Sequence, residues 1–477
     1  MLLSLLVLPL ANLCLAGGPH QRGHHGASCS STDAGASIAV ASTHPFGLNI
    51  TYGGQSVSNS AILVGSSNSS VSHISTNEHG QISKSGGSVS ATLVSPRIAK
   101  ISVNTTSSFI GARFSTANKS DCYGVWEYPW SNRLGNAGVS FQLKGVGFAE
   151  GVNWANARAP FFFTDAGYGV YTDTLEMGNY DFSNPGSVEF VFNTSSLVYN
   201  VIFPETRKDY KSLLTAYGEL SSTVSMPPDS GYGPTYWSDD FNQDFHGTVS
   251  NAQENYFDVV NTLYANQIHA TSMFADRPYG TGNSSFGNFD FDREFYPTPV
   301  DFITNLSRSG FDFQIWAANR AFLDTELYNI SLANGWLFPG IDGEIYQGPA
   351  LNLSIPEAYE YFKERISYFP SIGVKGYKID RGEEGEMPVE EQNTQATLFD
   401  RLLYETMVER WGEGNFYDFG RNVVDRSRSV ANIWNGDAHA NFTGLAYSVT
   451  SGIRAGLMGF STWGSDTGEY MPSPSPS

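Results

Sequence analysis

Cations are scarce in this chain of 477 residues: 27 Lys and Arg stand against 47 Asp and Glu, a formal net charge of −20. Binding a phosphate backbone needs clustered Lys and Arg, so a general nucleic-acid role is excluded. Charged residues of both signs make up only 16% of the chain, yet aromatics reach 14%. A mostly disordered chain would be aromatic-poor, so that class is excluded too. After residue 16 no apolar run approaches the about 20 residues that a bilayer crossing requires. Cysteine is nearly absent, at three, and no Cys/His spacing resembles a zinc site. Phosphate-loop and dinucleotide fingerprints are missing, and no Ser-centred elbow precedes a helix. Neither a metal nor an organic cofactor is expected.

What is present first concerns the compartment. Residues 1–16, MLLSLLVLPLANLCLA, have the length and small-residue ending of a secretory signal. Asn-x-Ser/Thr sequons begin at Asn49, Asn68, Asn104, Asn118, Asn193, Asn283, Asn305, Asn329, Asn352 and Asn441. That density in a Lys-poor chain predicts a secreted, N-glycosylated protein. Outside the leader, Cys29 and Cys122 are free to form one disulfide or to remain two thiols. Residues 17–36 are rich in Gly, His and Ser and read as a flexible, solvated segment.

Two textures follow. From 37 to 225, short alternating runs such as SVSATLVSP (Ser88–Pro96), KISVN (Lys100–Asn104) and VSFQLKGVGF (Val139–Phe148) are separated by Gly, Asn and Ser. Period-two patterning with turn signals predicts an antiparallel β-sandwich. From 230 to 470, strand-like apolar runs, the last of them GLMGFSTWG (Gly456–Gly464), alternate with helical patterns such as EAYEYFKERISYF, which predicts a parallel sheet with crossover helices. Carboxylates recur where those strands end, at Asp239, Asp276, Asp380, Asp437 and Asp466. In a (β/α)8 barrel the strand ends form the functional face, so the series predicts an acidic pocket. Residues 471–477 are a low-complexity tail that follows the seventh candidate strand, so the barrel is expected to lack its last strand.

Two segments concentrate the chemistry. KIDRGEEGE places Asp380 at a strand end with Glu383, Glu384 and Glu386 just beyond it, and WNGDAHANF sets Asp437 between Trp434 and His439. Two carboxylates from different strands can flank a glycosidic bond, one protonating the leaving oxygen while the other attacks the anomeric carbon or activates water. Plainer roles compete: a helix cap or an Arg381 pair for Asp380, and an Asx-turn for Asp437.

At this point the chain resembles glycoside hydrolase family 31, the retaining α-glucosidase and α-xylosidase family. The resemblance runs in order from about 140 to 471 through GVGFAEG (Gly145–Gly151), RAPFFFTDAGYGVYTDT (Arg158–Thr174), FDFDREFYPTP (Phe289–Pro299), WLFPG, LNLSIPEA, GYKIDRGEE and WNGD. It implies a galactose-mutarotase-like β-sandwich followed by an incomplete (β/α)8 TIM barrel, and a secreted exo-α-glycosidase. Asp380 is implied as nucleophile and Asp437 as general acid and then base. Asp276, Phe338, Arg421, Trp434, Asp466 and Tyr470 are implied to bind the sugar. Plainer readings pair Asp276 with Arg277 and bury Phe338 and Trp434 in the core. Lys378, two residues before Asp380, resembles the α-xylosidase branch and other branches with Lys there; its plainer reading is a salt bridge to Glu383. The rival from another class is a non-catalytic carbohydrate-binding protein.

Overall fold

The computed structural model describes residues 35–77, 80–83, 86–117, 120–128, 132–145, 155–238, 251–276, 279–281, 288–339 and 348–467. The leader, Cys29, Asn118, Asp239, Arg277, Asn283, Tyr470, residues 146–151 of GVGFAEG and the tail lie outside the described residues.

Two antiparallel sheets form the N-terminal half. The first runs, in spatial order, Ser37–Thr43, Phe46–Tyr52, Gln55–Gly65, Phe109–Ser115, Ser187–Phe192, Gly178–Asp181 and Ser140–Gln142, with Ser72–His73 flanking Gln55–Gly65. The second runs Gly87–Ser95, Ile98–Thr105, Ser196–Ile202, Gly169–Thr172, Arg158–Thr164 and Cys122–Trp126. Alternation explains the pairing. Ala99, Ile101 and Val103 point inward opposite Val201, Tyr199 and Leu197 of the neighbouring strand, and all six are buried. They meet Phe114 and Phe190 of the first sheet, both edge-on to Tyr199, which makes the pair of sheets a sandwich.

Arg158–Thr164 breaks the alternation, because every residue of RAPFFFT is buried. Phe162 faces the sandwich core, whereas Phe161 and Phe163 face the barrel side. A strand covered on both faces reads as a continuous apolar run. Phe161 stacks on Tyr217 of the helix Tyr210–Leu220, with ring centroids 3.9 Å apart.

Seven parallel strands lie side by side in chain order: Thr235–Ser238, Ser272–Ala275, Asp312–Ala317, Tyr377–Ile379, Phe419–Gly420, Asn432–Trp434 and Trp463–Gly464. Helices connect most neighbours, including Ala252–Ala265, Pro299–Arg308, Gln392–Trp411 and Phe442–Leu457. Between the fifth and sixth strands a single 3-10 turn, Asp425–Ser429, replaces the helix. The sheet curls: Phe274 of strand two meets Phe419 of strand five, and Lys378 of strand four reaches both Asp276 and Trp434. Among the described residues no eighth strand closes it, so the fold is the expected sandwich followed by an incomplete barrel.

Two sequence expectations are corrected. Among its described residues, the run Val139–Phe148 contributes only the strand Ser140–Gln142, because the chain then turns toward the barrel, where the Gly145 N–H donates to Gln392 Oε1 at 3.0 Å. In GLMGFSTWG, the start belongs to the helix Phe442–Leu457 and only Trp463–Gly464 is strand. Cys122 is buried, and burial, then Asp121 and Asp165, raise its thiol well above its ordinary pKa; its candidate partner Cys29 lies outside the described residues.

Buried polar groups rivet the two halves. Arg158 Nε donates to Asn393 Oδ1 at 2.7 Å and its Nη1 to Asn422 Oδ1 at 2.5 Å. Arg454 donates to the Trp126 and Leu134 carbonyls and to Asn136 Oδ1 at 3.0, 2.8 and 2.7 Å. Tyr171 and Tyr217 both donate to the Asp425 carboxylate, at 2.8 and 2.7 Å. These bonds offset most of the penalty of burying the groups, although Arg158 Nη2 and Asn422 Nδ2 are left without a hydrogen-bond partner.

Candidate active site

Strand four ends at Ile379, and the next residue, Asp380, stands at the mouth of the curl. Its carboxylate accepts from Trp316 Nε1 of strand three at 2.8 Å and from the Arg381 N–H at 2.8 Å, and lies 2.9 Å from Arg421 Nη2. The chain then makes a tight turn through Arg381 and Gly382, with φ of +65° and +100°. Glycine is required at 382, because a Cβ there would collide with the Asn422 side chain. Glu386 fastens this turn by accepting from the Gly382 and Glu384 N–H groups at 2.5 and 2.7 Å.

Arg421, just after strand five, is the hub. Its Nη2 lies 2.9 Å from Asp380, 2.7 Å from Glu383 and 3.3 Å from Glu384; its Nη1 lies 3.7 Å from Asp437. One buried guanidinium thus reaches both carboxylates singled out from sequence. Burial alone would push Asp380 up, but Arg421, Lys378 and Arg381 outweigh it and hold the group well below the usual carboxylate range. At Asp437 the balance reverses. Burial, with the charges of Asp380 and Asp466, outweighs Arg421 and Lys378 and raises the group to about 7.

The second cluster surrounds Lys378. Its Nζ lies 2.6 Å from Asp276 Oδ2 and 4.3 Å from the centroid of Trp434. Asp276 also accepts from Trp237 Nε1 at 3.0 Å, and Trp434 Nε1 donates to Asp466 Oδ1 at 2.8 Å. Burial raises Asp466 to about 6.

Asp276, Lys378, Asp380, Arg421, Trp434, Asp437 and Asp466 therefore converge from strands two, four, five, six and seven. The salt bridge suggested for Lys378 with Glu383 does not form; Lys378 takes Asp276 and Arg421 takes Glu383. Phe338 packs in a small apolar cluster with Ala350 and Met387. Tyr470 lies outside the described residues. Sequence reasoning missed Trp316, Trp237 and Arg320, the last 3.6 Å from Glu384. Among the described residues no group of His, Cys, Asp and Glu is arranged to hold a metal.

A curled parallel sheet with carboxylates at its strand ends has the layout of a TIM barrel with an acidic functional face. Residues 225–477, more than half of the chain, match the family model of the glycosyl hydrolases family 31 TIM-barrel domain, and the chain belongs to that family. It is 23% identical to an alpha-xylosidase of Emericella nidulans over 68% of this chain and 42% of that protein. It is 23% identical to a sulfoquinovosidase of Escherichia coli over 66% of this chain and 49% of that one. The chain thus spans less than half the length of these curated relatives. Among solved structures, a family 31 sulfoquinovosidase from E. rectale superposes with a TM-score of 0.75 at 20% identity, over 91% of this chain and 74% of that one. A family 31 alpha-xylosidase from a soil metagenome, complexed with xylose, gives 0.67 at 17%, over 92% and 65%.

Proposed function

We propose that this chain is a retaining exo-α-glycosidase in which Asp380 is the nucleophile and Asp437 the acid and then the base. The observation that carries the reading is the opposed protonation of two carboxylates sharing one guanidinium. Asp380 is held ionised, whereas Asp437 is raised to about 7 and keeps a proton below neutrality. That is the division of labour the reaction needs. Asp380 attacks the anomeric carbon while Asp437 gives its proton to the departing glycosidic oxygen. The Asp437 carboxylate then takes a proton from water, which attacks the same carbon and releases Asp380. Trp316, the Arg381 N–H and Arg421 hold the Asp380 oxygens in place before and after each displacement.

For substrate we favour a terminal α-xyloside over an α-glucoside. Lys378 and Asp276 form an adjacent donor and acceptor for sugar hydroxyls, and two matched relatives are named alpha-xylosidases. We further propose a secreted glycoprotein. The sequon residues Asn49, Asn68, Asn104, Asn193, Asn305, Asn329 and Asn441 are exposed, as glycan attachment demands.

The test is hydrolysis of aryl α-xyloside, α-glucoside and α-galactoside by the chain and its Asp380→Ala variant, with the product anomer followed by NMR. Release of the α-anomer by the parent and none by the variant is expected. Substantial turnover by Asp380→Ala would remove the assignment, and saturable sugar binding without cleavage by the parent would favour a carbohydrate-binding protein.

A further inference from the structure

Of the three glutamates after Asp380, Glu386 fastens the turn and Glu384 pairs with Arg381 and Arg320 at a partly exposed position. Glu383 differs. Its side chain is 1% exposed, its Oε1 lies 2.7 Å from Arg421 Nη2, and its Oε2 is buried with no hydrogen-bond partner. A buried carboxylate with an unsatisfied oxygen is costly, so its retention asks for a role. The contact it makes is the shortest that Arg421 makes with any of its four carboxylates. From behind, Arg158 of the sandwich buttresses the same corner through Asn422, the residue after Arg421. A guanidinium is planar, so a partner that fixes one nitrogen fixes the whole fork.

We propose that Glu383 is a positioning residue that sets the placement of Arg421, so that one guanidinium spans Asp380 and Asp437 without closing on Asp437. This rests on the glycosidase reading for its consequence in turnover, but not for its consequence in titration. Freed of Glu383, Arg421 can close on Asp437 from its 3.7 Å separation, and the proton of that group leaves at lower pH. The groups facing this corner are Arg421, Glu384, Glu386, Asp380 and Arg158 around Glu383, and Lys378, Asp380 and Asp466 around Asp437.

Two readouts test it on the full chain. The pH profile of kcat/KM for an aryl α-glycoside is compared among the parent, Glu383→Ala and Glu383→Gln. Independently of turnover, the Asp437 carboxyl is titrated by carbon-13 NMR in selectively labelled protein. Glu383→Ala is expected to lose about 10²-fold in kcat/KM, the order that a misplacement of about 1 Å costs. Its alkaline limb and the Asp437 midpoint should both move down by about one pH unit. Glu383→Gln, which keeps an acceptor for Arg421, should recover most of the rate. If the alanine variant does not fold, Glu383→Asp, one methylene too short to reach Arg421, should move the Asp437 midpoint the same way. An Asp437 midpoint unmoved in a folded Glu383→Ala or Glu383→Asp variant overturns the proposal, whether or not rate is lost. A parent without turnover would sink the glycosidase reading, leaving the titration to judge this one.

Discussion

The two interiors of this molecule are built on opposite terms. Between the sandwich sheets, Phe114, Tyr180, Phe190, Phe192 and Tyr199 meet edge to face or tilted, with centroids about 5.6–6.2 Å apart, and apolar contact dominates, the buried Asn59 amide meeting the Tyr199 hydroxyl. At the barrel mouth the buried set is Asp276, Lys378, Glu383, Arg421 and Asp437, with Asp380 half-buried among them. Burying apolar area stabilises at about 25 cal/mol per Å², whereas a buried ion pair often fails to recover its desolvation cost. The first interior holds the protein together. The second is held by it, and its charges are explained by chemistry rather than by stability.

Three measurements would break or sharpen that contrast. The largest effect is expected at Asp437. Asp437→Ala should lower turnover of glycosides with poor leaving groups by about 10²–10⁴-fold, the range of general acid catalysis. Aryl substrates that leave unaided should suffer less, and the denaturation midpoint should hold or rise. A large loss of stability with ordinary kinetics would erase the distinction between the interiors. Next comes Phe190→Ala, which empties a fully buried ring position and should cost about 3–5 kcal/mol in urea unfolding. Kinetic constants per folded molecule should not change.

The smallest effect concerns Asp418, buried beneath strand four, where its Oδ1 accepts from the Tyr377 N–H at 2.8 Å. Burial raises it to about 8. A carboxyl raised above its unfolded value of about 3.9 gives stability that is present below that value and lost as pH rises through about 8. Glu127, also raised to about 8 by burial, acts in the same direction. Asp380 acts oppositely, since its depressed value gives stability that is lost only as pH falls into the acid range. Stability should therefore peak on the acid side of neutrality. Asp418→Asn should flatten the fall in unfolding free energy between pH 5 and 8 by more than about 1.4 kcal/mol, the equivalent of one pKa unit. An unchanged slope would show that Asp418 titrates normally.

How far the sequence was readable depended on how many faces a segment buries. Half-buried strands such as Ile98–Thr105 declared themselves by alternation, and carboxylates at strand ends marked the mouth. Arg158–Thr164, covered on both faces, carries no alternation and stood out only through family resemblance. Trp316 was hidden for a related reason: inside the apolar run DFQIWA nothing distinguishes a packing ring from one whose N–H meets Asp380. The three glutamates after Asp380 look alike in sequence, and only the turn through Arg381 and Gly382 sends Glu386 to the backbone and Glu383 to Arg421. Phe338 matched by position, yet its ring packs on Met387.

Arg158 has a consequence for descent. It belongs to the sandwich by chain and to the barrel by its acceptors, Asn393 and Asn422. A recombinant that inherited this sandwich with a foreign barrel would carry a guanidinium stranded in the interior. One that inherited the barrel alone would turn those two amides to solvent. Exchange of either half therefore has to supply new partners for one buried guanidinium, a constraint on recombination written into a single strand.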